Sequence, residues 1–253
     1  MNHASASPFE DPAVVRDQLG RDGFALCRST GLRSADDLLA VAGSVGSLDL
    51  GIDEELSGPP VMHVKYDPGK AAKTEAPAYF TSTAFPLHTD MSYVANPPRY
   101  MLMLCLVADA GGGGDSVVSD FAKAWGLLPA AHQAELTAAQ FGFRRPPNTP
   151  AGDVGQLPVA RLTPEWSMWR FRLDGMTVPE RAREAVDAFH GALHQLAETF
   201  VLAAGDLVVV DNHRMAHGRT AFQPTPGTTP RHMLRAYAQD PARSLALLHD
   251  HHG

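Results

Sequence analysis

The sequence has few basic residues, only two cysteines and no long apolar run. Lysine and arginine total 21 against 28 acidic residues, so the formal net charge is -7. This is the wrong sign for a surface that neutralises phosphates, and we expect no nucleic-acid partner. Cys27 and Cys105 each lie in an apolar run, which is typical of buried thiols in a reducing cytoplasm rather than of a disulfide framework.

Signals for export or membrane insertion are also missing from the printed sequence. The first residues, MNHASASPFEDP, contain neither a basic segment nor an apolar one. No stretch approaches the roughly 18 apolar residues that a membrane span needs. We therefore expect a cytoplasmic protein with no membrane partner.

The composition predicts one globular domain. With 253 residues, 44% hydrophobic and 19% charged, the chain can bury a sizeable core, and β-rich domains of this length are common.

Asp11-Pro12 and the pair Ser34 and Asp37 each predict the start of a helix. From Val61 onward, short β-like runs are separated by Pro, Gly and Asn.

Further helices are predicted within and beside these strands. Residues 120–139 have helical spacing that is interrupted at Pro129, residues 144–158 read as a loop, and residues 182–200 read as one amphipathic helix. Strands flanked by helices, without regular βαβ alternation, favour a mainly β fold. We therefore predict a jelly roll (double-stranded β-helix) core over about residues 60–240, within a single domain over 1–253.

Two segments contain residues that could hold a metal ion. In PLHTDMSY, His88 and Asp90 are two residues apart, so on a β-strand they would point to the same face. The segment VVVDNHRMAHGRTAF offers His213 or His217 as a third ligand. Two histidines and one carboxylate leave open positions on Fe(II) for a chelating co-substrate and oxygen. In a chain with 12 histidines, H-x-D alone is also explained by hydrogen-bonded histidines.

The order of several motifs carries a family resemblance. H-x-D at 88–90 is followed by a glycine turn with Asp115-Ser116, then D-N-x-R-x-x-H-G-R at 211–219 and Arg235. Over roughly residues 80–240 the sequence resembles the TauD/TfdA-like dioxygenases, with clavaminate synthase-like features. The resemblance implies Fe(II), 2-oxoglutarate as co-substrate and O2, with His88, Asp90 and His217 as the metal ligands.

The resemblance also implies where 2-oxoglutarate binds. An arginine of the last core strand would clamp its distal carboxylate, and RHMLRAYAQD offers Arg231 and Arg235. The apolar pattern of the strand favours Arg235, with Arg231 supporting it from the same strand face. The hydroxyl of Ser116 is expected to contact the same carboxylate.

The resemblance also implies which residues would hold the substrate. These are Phe85, Arg172 and Arg219, together with the loop 144–158. Each has a structural alternative: Phe85 as a core residue, Arg172 as a charge on a strand face, and Arg219 as an ion-pair partner.

The expected activity is hydroxylation of an unactivated C–H bond in a small polar metabolite, such as an amino acid or a natural-product precursor, with release of succinate and CO2. The same machinery would also serve desaturation, cyclisation or oxidative cleavage. A protein of a different class, a non-catalytic jelly-roll binding protein with a structural metal, would need no co-substrate clamp. The sequence leaves open the substrate and the oligomeric state, monomer or homo-oligomer.

Overall fold

The computed structural model describes residues 11–52, 58–73, 78–144, 156–157, 159–162 and 167–241. Helices α1 and α2 lie on either side of the first strand in chain order, the short helix α3 follows the second strand, and helices α4 to α6 lie among the later strands. The helices are α1 (Pro12–Asp22), α2 (Ala35–Val45), α3 (Pro68–Ala71), α4 (Phe121–Gly126), α5 (Ala130–Ala138) and α6 (Arg183–Gln195), with short 3-10 turns at Ala78–Phe80 and Glu180–Ala182.

Nine of the strands form two antiparallel sheets. The five-stranded sheet has the order β1-β12-β4-β14-β2, and the four-stranded sheet has the order β11-β5-β13-β3. Their strands are β1 (Phe24–Cys27), β2 (Val61–Lys65), β3 (Phe85–His88), β4 (Tyr100–Val107), β5 (Ser116–Asp120), β11 (Glu198–Phe200), β12 (Leu207–Asp211), β13 (Met215–Arg219) and β14 (His232–Ala238). Smaller sheets comprise β6 (Phe141–Phe143), β7 (Gln156–Leu157) and β10 (Met176–Thr177), and the pair β8 (Ala160–Leu162) and β9 (Ser167–Trp169). The predicted mainly β jelly roll with flanking helices is confirmed.

The alternation of side chains in the larger sheet separates two cores. On β12, Val208 and Val210 face the main core between the sheets, whereas Leu207 and Val209 face α1 and α2. Every residue of β12 is buried, as expected for a central strand that is covered on both faces. The helices at the start of the chain therefore cover the outer face of this sheet and leave its inner face for the site.

Local signals account for the first two helices. The side chain of Asp11 accepts a hydrogen bond from the backbone N–H of Ala13 at the start of α1, and Pro12 occupies the first helical position. Ser34 and Asp37 form a reciprocal capping box at the start of α2. Both predicted helix starts are confirmed.

Two secondary-structure predictions need correction or limits. The helix predicted over 182–200 ends at Gln195, and Glu198–Phe200 forms β11 instead, where it pairs with Ser116–Val118 of β5. This sheet pairing outweighs the local helical spacing. Most of the loop predicted over 144–158 lies outside the described residues. Cys27 and Cys105 are buried free thiols, as expected.

Candidate metal and co-substrate site

His88, Asp90 and His217 converge between the two sheets. His88 and His217 are directly paired in the register of β3 and β13, and one ligand atom from each of the three residues lies within 4.8 Å of the others. Nε2 of His88 is 3.3 Å from Oδ1 of Asp90, and Nε2 of His217 is 3.4 Å from Oδ2. Adjacent ligands on a metal with bonds near 2.1 Å lie about 3.0 Å apart, so this arrangement suits one ion.

The hydrogen bonds of the histidines leave lone pairs for a metal. Nδ1 of His88 lies 2.9 Å from the carbonyl oxygen of Pro86, which can only accept, so Nδ1 carries the proton and Nε2 is the free acceptor. Nε2 of His88 and both ring nitrogens of His217 are buried without a hydrogen-bond partner. Such nitrogens are costly unless something binds them, so the residues present fit a divalent metal.

Charge at the triad favours ionised Asp90 and neutral His88. Burial alone would raise the pKa of Asp90, but Arg235 and His217 outweigh it and hold that pKa well below its usual range. Burial, together with His217, lowers the pKa of His88 to about 4. A carboxylate and a neutral imidazole are the protonation states that bind metal ions.

Asp90 is placed by a contact from the residue that follows β12 rather than by β3. Strand β3 ends at His88, so the expectation that both ligands lie on one strand is wrong for Asp90. Oδ1 of Asn212 accepts from the N–H of Asp90 at 2.7 Å, and Nδ2 of Asn212 donates to the carbonyls of Asp90 at 3.1 Å and Pro98 at 3.0 Å. Asn212 therefore fixes both polar groups of the Asp90 backbone.

We expect Asn212→Ala to weaken Fe(II) binding by roughly 10- to 100-fold, the range seen when groups that orient metal ligands are removed. The loss of buried hydrogen bonds should also cost about 1–3 kcal/mol of stability. Gln239→Ala is the matched control, because Gln239 is also a buried amide and bonds to Pro97 but not to Asp90. Fe(II) titrations of both variants decide the matter, and wild-type affinity in Asn212→Ala would show that Asp90 is held without it.

His213 does not join the triad. Its Nε2 lies 2.9 Å from the carbonyl oxygen of Pro97, and its backbone N–H donates to Oδ1 of Asp211. Among the described residues, the one group of three or more potential ligands close enough to share an ion contains His217 and not His213. Of the two histidines that the sequence offered, the structure brings His217, and not His213, close to His88 and Asp90.

A close approach of two strand backbones explains why glycine, at position 218, follows His217. The pairing of β13 with β3 shifts between His217 and Arg219, opposite Pro86 and Leu87. A Cβ atom at Gly218 would lie 2.6 Å from the carbonyl oxygen of Phe85. The bulge beside the ligands therefore requires close contact between the two strand backbones.

Gly218→Ala should push β3 away from β13 and lower Fe(II) affinity, with a stability loss of about 1–3 kcal/mol from overpacking. Gly142→Ala in β6 is the control, because its new methyl group would meet only Thr177 at 3.7 Å, an ordinary contact. Iron affinity and thermal melting should be compared for both. Unchanged iron binding in Gly218→Ala would mean that β3 yields without moving His88.

A pocket between the sheets adjoins the histidines. Its charged and polar lining comes from Ser116, Arg219, Arg231 and Arg235, and most of the rest is apolar, including Val208 and Val210. A mostly apolar pocket with a few convergent polar groups is typical of a small-molecule site. The three arginines are each buried.

Arg219 and Arg231 are buried positive charges that no carboxylate neutralises by direct contact within the described part of the chain. Arg219 donates to the carbonyls of Thr81 and Thr83. Burial and the charge of Arg231 lower the pKa of Arg219 to about 10. Burial also lowers the pKa of Arg231, although Cys105, Asp109 and Asp115 oppose the shift. The ion-pair role considered for Arg219 is not what the structure shows, and the pair of guanidinium groups favours an anionic ligand.

Arg235 differs from Arg231 because it has a carboxylate partner. Its Nη1 lies 3.2 Å from Oδ2 of Asp90, and the hydroxyl of Tyr237 donates to the same oxygen at 2.9 Å. Nη2 contacts the sulfur of Met62, and Nε has no partner in the described structure. Arg235 is thus paired with the carboxylate of the triad, and it also lines the pocket.

The remaining predicted residues lie at or near the pocket. Phe85 lines it, with its ring centroid 4.2 Å from that of His88. The guanidinium carbon of Arg172 lies 5.4 Å from the centroid of the Phe85 ring, and Arg172 also pairs with Asp174.

Sequence reasoning missed Tyr237 as a partner of Asp90, and also missed the role of Arg170. Arg170 is 1% exposed and donates to the carbonyls of Ser92, Val94 and Ala95, in the segment just after Asp90. An arginine within the apolar run SMWRFRL is a signal for a buried guanidinium, but not for the distant segment that it binds.

The fold and the triad together define a jelly-roll protein with a candidate metal site of two histidines and one carboxylate. The family model "Taurine catabolism dioxygenase TauD, TfdA family" matches residues 6–237. The chain therefore belongs to the TauD/TfdA family, as the resemblance indicated.

Individual relatives agree with this family. L-asparagine oxygenase of Streptomyces coelicolor is 29% identical over 170 residues, 66% of this chain and 51% of that protein. Clavaminate synthase 2 of Streptomyces clavuligerus is 26% identical over 206 residues, 78% of this chain and 62% of that protein. The chain thus spans about half to three fifths of the length of these curated relatives.

Solved structures show the same fold. Asparagine oxygenase in complex with Fe(II), 2S,3S-3-hydroxyasparagine and succinate matches with a TM-score of 0.77 at 24% identity, covering 94% of this chain and 81% of that one. Within the described residues, no helix of this chain is long and apolar enough to cross a membrane.

Proposed function

We propose that this chain is an Fe(II)- and 2-oxoglutarate-dependent oxygenase that hydroxylates an unactivated C–H bond of a small polar metabolite, with release of succinate and CO2. The observation that carries the proposal is the buried triad of His88, Asp90 and His217, with its unbonded imidazole nitrogens. Membership of the TauD/TfdA family supports it. Residues 1–253 would act as one domain.

The proposed iron ligands are Nε2 of His88, the carboxylate of Asp90 and an imidazole nitrogen of His217. Iron in such a site supplies oxygen activation, which protein side chains do not. The protein's contribution is to hold the ligands on one side of the ion and to keep the site enclosed. Burial of the three ligands, at 2%, 3% and 6% exposure, supports that role.

We propose Arg231, with Ser116, as the residues that bind the distal carboxylate of 2-oxoglutarate. Arg231 is buried, faces the pocket and lacks a bound carboxylate in the described structure. A Cβ at Gly114 would approach Nε of Arg231 to 3.1 Å, so the glycine turn before Ser116 lies against this guanidinium. A guanidinium fork suits a carboxylate because it donates two parallel hydrogen bonds.

This proposal exchanges the roles that the sequence suggested for the two arginines. Arg235, expected as the clamp, has Nη1 engaged with Asp90. Nε has no hydrogen-bond partner in the described structure and Nη2 contacts only the soft sulfur of Met62, so we assign these donors to a carboxylate of the substrate. Asparagine oxygenase, whose structure contains a hydroxylated amino acid, supports an amino acid as the substrate class.

The competing function is a binding protein in which the metal is only structural. Such a protein would bury Arg219 and Arg231 beside one another for no ligand, at a cost in stability. Desaturation, cyclisation and oxidative cleavage would use the same residues as hydroxylation, so product analysis separates them.

The direct test is to supply the reconstituted Fe(II) protein with 2-oxoglutarate, O2 and a panel of free amino acids. We expect succinate release to rise with one class of amino acid, together with a product heavier by one oxygen atom. A product lighter by two hydrogens would indicate desaturation or cyclisation. If no member of the panel stimulates succinate release although 2-oxoglutarate binds, the amino-acid class is wrong and the co-substrate assignment stands.

A further inference from the structure

Helix α6 carries a histidine pair that the proposed oxygenase activity does not use. His190 and His194 are four residues apart, so they lie one turn apart on the same face of the helix. Their Nε2 atoms are 3.0 Å apart, and the ring planes are inclined by 83°. Both are outside the triad of His88, Asp90 and His217.

The distance between the two nitrogens matches a metal chelate. Two imidazoles that bind one ion with bonds of about 2.1 Å have their nitrogens about 3.0 Å apart at a right angle and about 3.4 Å apart in a tetrahedron. Histidines at i and i+4 on a helix can bind a single zinc ion. Without an ion, one ring must donate to the other, so only one lone pair is used.

The surroundings hold one ring in place and leave the other accessible. The ring of His190 is half-buried and stacks on Phe171, with centroids 6.1 Å apart and an inclination of 27°. His194 is exposed, which leaves room for water as further ligands. Restriction of one ring lowers the entropy lost when an ion is chelated.

Charge at the pair also favours a cation. Burial, followed by the charge of His194, lowers the pKa of His190, while Asp187 acts in the opposite direction. His190 is therefore neutral near pH 7, and protons compete weakly with a metal. Asp187 lies three residues before His190 on the same helix and supplies negative charge nearby.

We infer that His190 and His194 form a second metal site, for a divalent ion of the zinc, nickel or copper type, with two protein ligands and water. Imidazole is a suitable ligand for all three ions. Phe171, on which the ring of His190 stacks, connects this pair to the triad segment. The carbonyl of Phe171 accepts a hydrogen bond at 2.8 Å from the N–H of Thr89, which lies between His88 and Asp90. With two protein ligands it should bind more weakly than the triad.

A second histidine pair provides a matched control. Nδ1 of His63 and Nε2 of His232 are 2.9 Å apart on neighbouring strands β2 and β14. Burial, His63 and the charge of Lys65 lower the pKa of His232. A lysine beside this pair opposes a bound cation, whereas Asp187 favours one on α6.

The test is a calorimetric titration with Zn2+ of wild type, His190→Gln/His194→Gln and His63→Gln/His232→Gln. We expect the first double variant to bind one ion fewer than wild type and the second to bind the same number. The triad and the histidines at 249–252 are present in all three proteins, so they do not affect the comparison. If wild type and His190→Gln/His194→Gln bind the same number of zinc ions, the inference is wrong. It is also wrong if only His63→Gln/His232→Gln loses an ion.

The single variant His194→Gln tests the site if the double variant His190→Gln/His194→Gln does not fold. His194 is exposed, so His194→Gln should leave the fold intact while it removes one of the two ligands. We expect its affinity for Zn2+ at this site to fall more than about tenfold, because one imidazole remains. Wild-type affinity in His194→Gln would contradict a chelate.

Discussion

We expect substitution of His217 by alanine to abolish iron binding and turnover while the protein remains folded. Removal of a group that merely orients a ligand costs roughly 10- to 100-fold in metal affinity, and loss of the ligand itself should exceed that range. Neither ring nitrogen of His217 has a hydrogen-bond partner in the described structure, so truncation breaks no such bond. Iron content after reconstitution and the rate of succinate release are the measurements.

His213→Ala is the matched control for His217→Ala. Both histidines are buried, at 5% and 6% exposure, and they lie four residues apart in the same motif. His213 contacts the carbonyl of Pro97, so its loss should lower stability and leave iron bound. A His217→Ala protein with full iron and full turnover, beside an iron-free His213→Ala protein, would reverse the ligand assignment.

Arg231→Lys should weaken 2-oxoglutarate binding far more than it disturbs iron binding. Lysine keeps the charge but removes the fork that donates two parallel hydrogen bonds. Loss of a buried, charge-assisted pair costs roughly 2–4 kcal/mol, or about 30- to 1,000-fold in affinity. The measurement is the dissociation constant of 2-oxoglutarate at fixed Fe(II) without oxygen.

Arg235→Lys separates the two arginine assignments. Because Arg235 pairs with Asp90, we expect this variant to alter the iron site and raise the KM of the amino-acid substrate, with a smaller change in 2-oxoglutarate affinity. If Arg235→Lys loses 2-oxoglutarate binding and Arg231→Lys does not, the clamp is Arg235, as the sequence first suggested.

Ligand binding gives an independent measure of the same pair. An anion that binds only the folded protein raises its melting temperature. We therefore expect 2-oxoglutarate to stabilise wild type, since it would neutralise the adjacent charges of Arg219 and Arg231. Arg231→Lys should show a smaller shift at the same concentration.

Features with local causes could be predicted from the sequence. Asp11 with Pro12, and Ser34 with Asp37, set the starts of α1 and α2 through bonds within a few residues. The convergence of His88 and His217 followed from motif order and the family resemblance. These signals depend little on the rest of the fold.

Features that depend on residues distant in the sequence could not be predicted in this way. Asp90 is held by Asn212, which is 122 residues away in sequence, so the pattern H-x-D did not show that β3 ends at His88. The helical spacing after Gln195 gave no sign that Glu198–Phe200 would pair with β5. Tertiary contacts decided both outcomes.

The sequence did not distinguish the roles of Arg231 and Arg235 for a similar reason. Arg231 and Arg235 lie four residues apart, and both line the pocket. The register of β14 against β4 shifts between His232 and Met233, so alternation along a regular strand does not fix the position of Arg231. Only the position of Asp90 shows which guanidinium is already paired.

Anaerobic titration of the Fe(II) protein with 2-oxoglutarate tests the central claim most directly. Chelation of iron by the keto acid produces a weak visible charge-transfer band, which requires the metal triad and the co-substrate site together. We expect the band to saturate at one 2-oxoglutarate per iron in wild type, to be absent in His217→Ala, and to need a much higher 2-oxoglutarate concentration in Arg231→Lys. Tight iron binding with no band at any 2-oxoglutarate concentration would contradict the assignment and favour a structural metal.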